Sequence, residues 1–430
     1  MNSPIITSLT DTDYYTFTLC QLAYHKFKGA AARYKYKCRN GNGYPPALSV
    51  AGSDKAKRQF CGAMNKQLDN FCELRFKHSE VEALSKTGHF KDDFLEFLLK
   101  LRLDRKHITC YDANGHMAID ITGPVEQTIW YETPTLATNS ELIGYYNVPS
   151  LKIVGDLSEI HDPMHYEQCI RVARERLYAK LKYAGSANLP GFNITDFGTR
   201  RRFSLAWHDE VLYTMKQVVP EILVGTSNCM LAMKHGIPMK GTMPHQGFQM
   251  FQQVVGVAES QTALFAAWIE EYGDQLLIAL SDILGFQAFI ADFLGYAKDY
   301  SGARHDSANP YLWCEDLLLM YEKLGIDAKK KVAVFSNGLN MHKAVSLYAT
   351  FHNKIKVMLA MGTDLTNDTG RLAPQIVIKL VEFMHGPVAK VADEPGKGMC
   401  EDPEFEDYVK EIAARKRTFI DDWKGWSKRR

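Results

Sequence analysis

Two rhythms of apolar and polar positions divide the chain. Up to about residue 130 the pattern is mixed. AARYKYKCR (31–39) alternates with the period of two that marks a half-buried strand, and FLEFLLKLRL (94–103) has the density of an apolar helix. HITCYDANGHMAIDITG (107–123) reads as a hairpin with Asn114-Gly115 at its turn. The segment 125–146 reads as a helix interrupted before Pro134, because the residue preceding a proline is pushed out of the helical region. From about residue 190 a short apolar strand, a polar or glycine-containing loop and a helix recur. FNIT leads into DFGTRRR, EILVG into TSN, IPMKG into TMPHQ, LLIAL into SD, KVAVF into SNGLN and KVMLA into MGTDL; GARHDSANP belongs to the same series and IVIKL closes it. Helical spacing follows several of these strands, as in Val211, Leu212, Met215, Val218 and Val219. Repeated βα units imply a parallel sheet, closed as a barrel or doubly wound, with ligand chemistry in the loops after the strands' carboxyl ends.

With 430 residues, 46% of them apolar, the chain can bury a large core. A formal charge of +1 excludes a long-range field for nucleic acid or anionic membranes, so any anion site must be built locally from a few placed cations. Nine cysteines occur singly, with no CxxC pair, which points to a reducing compartment rather than a disulfide framework. The N-terminal stretch lacks a basic region followed by an apolar one, and the cytoplasm is the expected location.

The candidate chemistry falls in the βα loops. Asp196-Phe197-Gly198 also occurs in protein kinases, but the chain has no GxGxxG loop, HRD or VAIK, so that reading fails. Arg200, Arg201 and Arg202 follow a strand directly, where a guanidinium fork can hold a carboxylate or phosphate; at most one or two of the three can face inward. His161 and His165 have the spacing of a helical zinc pair, yet Pro163 lies between them and no carboxylate or cysteine ligand is suitably placed, so a loop or a helix start is the expectation. The basic and aromatic C-terminus, RKRTFIDDWKGWSKRR, is expected to be a frayed, solvated helix. His245 differs from an ordinary structural histidine, because it follows Gly241 and Thr242 in a loop suited to phosphate, where a neutral imidazole can accept a phosphoryl group. Gly362-Thr363 forms a second such nest, and Arg304 with Asp306 sets a phosphate-binding guanidinium beside a carboxylate able to hold magnesium. Together these describe a phosphoryl or phosphoribosyl site.

DTDYY (11–15), DFGTRRRFS (196–204), VGTSN (224–228), GTMPH (241–245), RHDS (304–307), MGTDL (361–365) and IVIKLVE (376–382) resemble, in this order, the motifs of the nicotinate phosphoribosyltransferase family. The resemblance spans nearly the whole chain. It implies an irregular α/β barrel, the type II phosphoribosyltransferase fold, with an N-terminal α+β domain, in a homodimer whose subunits complete each other's sites. The expected boundaries are 1–130 for the N-terminal domain, 131–400 for the catalytic barrel and 401–430 for a helical tail. It also implies the reaction: nicotinate and phosphoribosyl pyrophosphate give nicotinate mononucleotide and pyrophosphate, with ATP hydrolysis coupled through a phosphohistidine, in salvage toward NAD. Magnesium accompanies phosphoribosyl pyrophosphate and ATP, with Asp306 as its protein ligand, and no tightly bound organic cofactor is implied.

Carried over by position, Tyr15 and Phe197 would sandwich the pyridine ring and Arg200 would face the nicotinate carboxylate or the pyrophosphate. Thr242 and Arg304 would lie in the substrate pocket, Gly362 and Thr363 on the ribose 5-phosphate, and Arg39, lent by the partner subunit, on the pyrophosphate. His245 matches the histidine phosphorylated by ATP. Ser227 stands where the related nicotinamide enzyme has an aspartate, and a serine can donate to a carboxylate that an aspartate would repel.

The chain departs from the family where HDSGD reads HDSAN, ending in Asn309, and where FSDGLD or FSDNLD reads FSNGLN, with Asn337 and Asn340. GTxAHE reads GTMPHQ, with Gln246, and the lysine after DAY is Thr16. Lost carboxylates near a magnesium pyrophosphate site are expected to weaken metal binding or change what sits on the ribose, with Asn337 in the substrate-binding set. The alternatives are a paralogue with altered base specificity, taking nicotinamide, or a non-catalytic NAD-metabolite-binding protein.

Overall fold

The computed structural model describes residues 3–48, 53–146, 157, 163–394 and 396–423. His161, half of the zinc-like pair, and residues 424–430 of the basic tail lie outside them. Among the described residues eleven strands form two sheets. β1 (Ala31–Cys38), β2 (Ile108–Ala113), β3 (His116–Pro124), β10 (Ile376–Phe383) and β11 (Gly386–Pro387) make an antiparallel sheet in the order β11-β10-β1-β3-β2. β4 (Ile194–Asp196), β5 (Leu223–Thr226), β6 (Ile278–Leu280), β7 (Gly302–His305), β8 (Val332–Phe335) and β9 (Lys356–Met361) make a parallel sheet in the order β5-β4-β9-β8-β7-β6. Met239 adds a parallel bridge to Thr226 beyond β5. The parallel sheet is the one the βα rhythm predicts, and with the antiparallel layer it makes the irregular α/β barrel that the resemblance implies.

IVIKL is not its last strand. β10 runs antiparallel to β1, with Lys379 opposite Lys35 and Ile378 opposite Tyr36, so the C-terminal part of the chain completes the N-terminal sheet. A period-two apolar strand reads the same in either sheet, because its partner is chosen by contacts across more than 300 residues. The packing follows the same division: Ile376, Ile378, Leu380 and Phe383 belong to the core of the N-terminal layer, with Phe17, Tyr34, Phe60 and Trp130. A second core fills the barrel and its helices, around Trp207, Phe265, Phe289 and Phe335.

Local signals fare well. The 108–124 hairpin turns on Asn114 (φ 52°) and Gly115 (φ 85°), the left-handed pair that an Asn-Gly turn supplies. A short helix, Val125–Thr128, and a 3₁₀ turn precede a new helix, Glu132–Tyr145, with Pro134 in its first turn. The helix expected at 94–103 is Asp92–Lys100, and the chain leaves it at Leu101 with ψ 131°. The C-terminal helix, Pro403–Asp422, is not merely a solvated tail: Asp402 caps it, Val409 and Ile420 are fully buried, and it packs on the helix Phe286–Phe293. Pro163 opens the helix Pro163–Ser186, the helix start that the histidine pair suggested, and His165 Nδ1 lies 3.3 Å from Arg371 Nη2. Among the described residues no helix is long and apolar enough to cross a membrane.

Candidate active site

The loops after the parallel strands converge with residues of the N-terminal layer on one cavity of about 350 Å³. Each residue that the resemblance assigns to catalysis or substrate binding lines it. Tyr15, Phe197, Arg200, Ser227 and Thr242 stand toward one part; Arg39, His245, Arg304, Asp306, Asn337, Gly362 and Thr363 complete the wall.

Asp196 shapes the first loop. It is fully buried, and its carboxylate accepts from the Gly198 N–H at 2.9 Å and from Thr226 Oγ1, and lies 2.7 Å from His208 Nε2. It holds the Phe197-Gly198 turn and is not offered to a metal. Phe197 N–H continues the sheet by donating to Met361 O at 2.7 Å. This loop and the loop after β9 then approach so closely that both need glycine: a Cβ on Gly198 would lie 2.2 Å from Thr366 Cγ2, and one on Gly362 2.8 Å from Phe197 O.

The three arginines part company. Arg202 is wholly buried, forking onto Asp11 at 2.6 and 2.8 Å and reaching Glu141 at 2.7 Å. Arg201 donates to Ile376 O at 3.1 Å and to Gln375 Oε1 at 3.2 Å, and so ties the loop to β10. Arg200, 44% exposed, lies 3.6 Å from both Asp13 and Glu132 and 5.9 Å from the centre of the Tyr15 ring. Tyr15 OH donates to Glu132 at 2.8 Å. Burial raises the Glu132 carboxyl's pKa against the opposing pull of Arg200, and Gln246 also donates to it while accepting from Tyr34 OH at 3.1 Å. Ser227 Oγ donates to Asp13 at 2.7 Å.

His245 heads the helix His245–Val254 and is the hub of the other half. Its Nε2 lies 2.8 Å from Asp282 Oδ1, 2.7 Å from Lys390 Nζ and 3.4 Å from Asp306 Oδ2. Burial first, then Lys390, pushes the imidazole down to about 4, so the ring is neutral at pH 7. Nε2 can donate to Asp282 or accept from Lys390, and either tautomer keeps a lone pair on one ring nitrogen. Lys390 is buried and donates to Asp282 at 2.6 Å. Arg304 donates to Thr242 Oγ1, and Ser336 Oγ to Asp306 at 3.0 Å.

The opposite rim is cationic. Arg39 and Arg304 each bury an Nε that finds no partner among the described residues. Burial, then Lys390 and Arg39, lowers Lys379 to about 7. Such under-compensated cations are arranged for an anion. Arg39 lines the cavity of its own chain, alongside Tyr15 and Phe197, where β1 runs beside β10 and carries it to the rim.

The missing carboxylates are also relocated in meaning. Asn309 and Asn340 cap helices, accepting from Tyr311 N at 2.9 Å and Lys343 N at 2.9 Å respectively, and Thr16 is buried against Thr12. Of the asparagines only Asn337 lines the cavity. Sequence reasoning missed Asp13, Glu132, Asp282, Lys379, Lys390 and Lys397, all except Asp282 lining the cavity. Lys379 had a signal, a lone charge inside IVIKL, and Asp282 another, its place directly after LLIAL.

Comparison with known proteins places the whole chain. The model of the nicotinate phosphoribosyltransferase (NAPRTase) family matches residues 192–414, and that of its N-terminal domain residues 10–140. The nicotinate phosphoribosyltransferase of Psychromonas ingrahamii is 37% identical over 410 residues, 94% of each chain. That of Chromobacterium violaceum is 38% identical over 420 residues, 96% of this chain and 98% of the relative. The crystal structure of the Vibrio cholerae enzyme superposes with a TM-score of 0.84 at 29% identity, covering 96% of this chain and 94% of that one. The chain belongs to the nicotinate phosphoribosyltransferase family.

Proposed function

We propose that the chain joins nicotinate to phosphoribosyl pyrophosphate, releasing pyrophosphate, with ATP turnover at His245 in salvage toward NAD. The pyridine nitrogen attacks the anomeric carbon as the bond to pyrophosphate breaks, so negative charge gathers on the leaving group and positive charge on the sugar. Donors aimed at pyrophosphate then matter more than any protein nucleophile. The observation carrying this reading is one cavity in which two aromatic rings and Arg200 stand beside a neutral histidine and two guanidinium groups, Arg39 and Arg304, whose buried Nε atoms find no partner among the described residues.

In this reading Tyr15 and Phe197 hold the ring, with offset stacking contributing about 0.5–1.5 kcal/mol per contact beyond buried area. Arg39, Arg304 and Lys379 receive pyrophosphate, and Gly362 with Thr363 the 5-phosphate. Magnesium arrives with the phosphates. Asp306 suits it, with a partly exposed carboxylate whose oxygen, His245 and Asp282 all lie within 4.8 Å of one another, since the ion keeps one or two protein oxygens beside those of the substrate. Lys390 and Asp282 steady the phosphorylated imidazole. A homodimer belongs to the reading as assembly, whereas Tyr15, Arg39 and Phe197 come from one chain.

Pyrophosphate release is measured with nicotinate, nicotinamide and quinolinate, each with and without ATP. Nicotinate-dependent release that ATP increases, lost in His245→Ala, is expected; release with nicotinamide alone, or none with any base, overturns the reading. One observation favours nicotinamide as the second reading: the Ser227 hydroxyl is given to Asp13, whose carboxylate can accept from an amide. Tight mononucleotide binding without release would mark a sensor.

A further inference from the structure

Asn337, in the loop after β8, stands where the family pattern carries an aspartate. Its Oδ1 accepts from Lys397 Nζ at 2.6 Å and its Nδ2 donates to Glu394 Oε2 at 3.3 Å. Glu394 Oε2 lies 2.9 Å from the same Lys397 Nζ. Lys397 Nζ also donates to the backbone carbonyl of Asp306 at 3.0 Å, while the backbone N–H of Ala308 reaches the Glu394 carboxylate. One acid on the segment after β11 thus ties the loop after β7 to the loop after β8. Burial opposes its charge, but Lys397, then Asn337 and Ala308, outweigh it and hold the carboxyl below the usual range.

This arrangement compensates for a loss. A neutral amide at 337 cannot balance the Lys397 ammonium, and Glu394 is the carboxylate that does so. Lys397 lines the cavity, as Asn337 does, and Lys379 Nζ donates to the Lys397 carbonyl at 2.6 Å. The acid therefore sets both the place and the charge balance of one end of the cationic rim.

We propose that Glu394 is a positioning residue for phosphoribosyl pyrophosphate, supplying from the segment after β11 the carboxylate absent at position 337. It fixes Lys397 and joins the Asp306 and Asn337 loops around the sugar and its leaving group. The inference rests on reading the cavity as a phosphoribosyl pyrophosphate site.

An exchange of the two positions tests it: Glu394→Gln, Asn337→Asp, and the double variant, each assayed for KM of both substrates and for phosphoribosyl pyrophosphate binding by calorimetry. Glu394→Gln is expected to weaken phosphoribosyl pyrophosphate at least tenfold and leave KM for nicotinate and the melting temperature unchanged. Asn337→Asp sets two carboxylates on one lysine and is also expected to bind more weakly. The double variant, with one carboxylate restored, is expected within threefold of the parent. Wild-type-like binding in Glu394→Gln, or a double variant no better than the worse single one, overturns the proposal. Hydrogen exchange over 304–312 and 334–342, faster in Glu394→Gln and restored in the double variant, reads the same joint without ligand. A parent chain that turns over no base refutes the proposed function, whereas the exchange pattern still decides on Glu394.

Discussion

Replacing Arg202 by methionine separates an arginine that builds the fold from the neighbour that faces the ligand. Arg202 is fully buried, and its guanidinium is the cation that balances Asp11 at 2.6 and 2.8 Å and Glu141 at 2.7 Å. Removing one partner from a buried charge network strands the others, at a cost of about 3–5 kcal/mol. A typical domain has about 5–15 kcal/mol in all, so the variant is expected to lose a large part of its margin. The cost depends on pH. Burial already raises the Glu141 carboxyl against the pull of Arg202, and without the guanidinium it rises further above its unfolded value near 4. Stability relative to the parent is therefore best below pH 4 and falls as pH rises through the raised folded value of Glu141. Arg200→Met is the control: its side chain is 44% exposed beside the cavity and stands 3.6 Å from Asp13 and Glu132, beyond hydrogen-bond distance, so a smaller loss than in Arg202→Met is expected. Urea unfolding of both variants at pH 5 and pH 7.5, beside nicotinate KM, checks the partition. The expected result is a stability loss that is larger in Arg202→Met and grows with pH there, and a KM rise in Arg200→Met. A loss under about 1 kcal/mol in Arg202→Met, or equal losses in the two variants, refutes the reasoning.

Three further outcomes are expected. Ala308 sits at φ +66°, where a side chain costs about 1–2 kcal/mol, so Ala308→Gly, after the glycine entropy of about 0.5–1, should stabilise the chain by roughly 0.5–1 kcal/mol in denaturant titration. Lys379, with its folded pKa near 7 against an ordinary value near 10.4, opposes folding fully below pH 7 and not at all above 10.4. The parent should therefore gain stability relative to Lys379→Met between pH 7 and 10, while Lys379→Met binds pyrophosphate more weakly at pH 7; a constant stability difference across that range would contradict the assignment. Ser227→Asp, which sets a second carboxylate against Asp13, should shift the ratio of kcat/KM from nicotinate toward nicotinamide, and an unchanged ratio removes Ser227 from base selection.

What could be read in advance was local. A βα loop announces itself by an apolar strand and the glycines that follow it, which is why His245 and Gly362 stand out from the sequence, whereas Phe197 rests on the resemblance. Arg200, Arg201 and Arg202 are identical neighbours, and only the surrounding fold turns Arg200 into the cavity, ties Arg201 to β10 along the cavity wall and buries Arg202 in the core. Glu132, in WYETP, looks like an ordinary helix start; it becomes part of the site because Tyr15 and Gln246 meet it from 117 and 114 residues away. Lys390 gave no sign, since the carboxylate that balances it, Asp282, is 108 residues distant. Asn309 and Asn340 misled for a related reason, because asparagine at a helix start serves as a cap as well as aspartate does.

The β1–β10 pairing has a consequence for synthesis. During translation β1 leaves the ribosome long before its neighbour β10, so its open edge, along with Tyr34 and the apolar surface beneath it, must wait while the parallel strands are made. A chain cut short before Ile376 would keep that edge permanently bare. Quality control of nascent chains, and association between unfinished copies, should therefore concentrate on this strand.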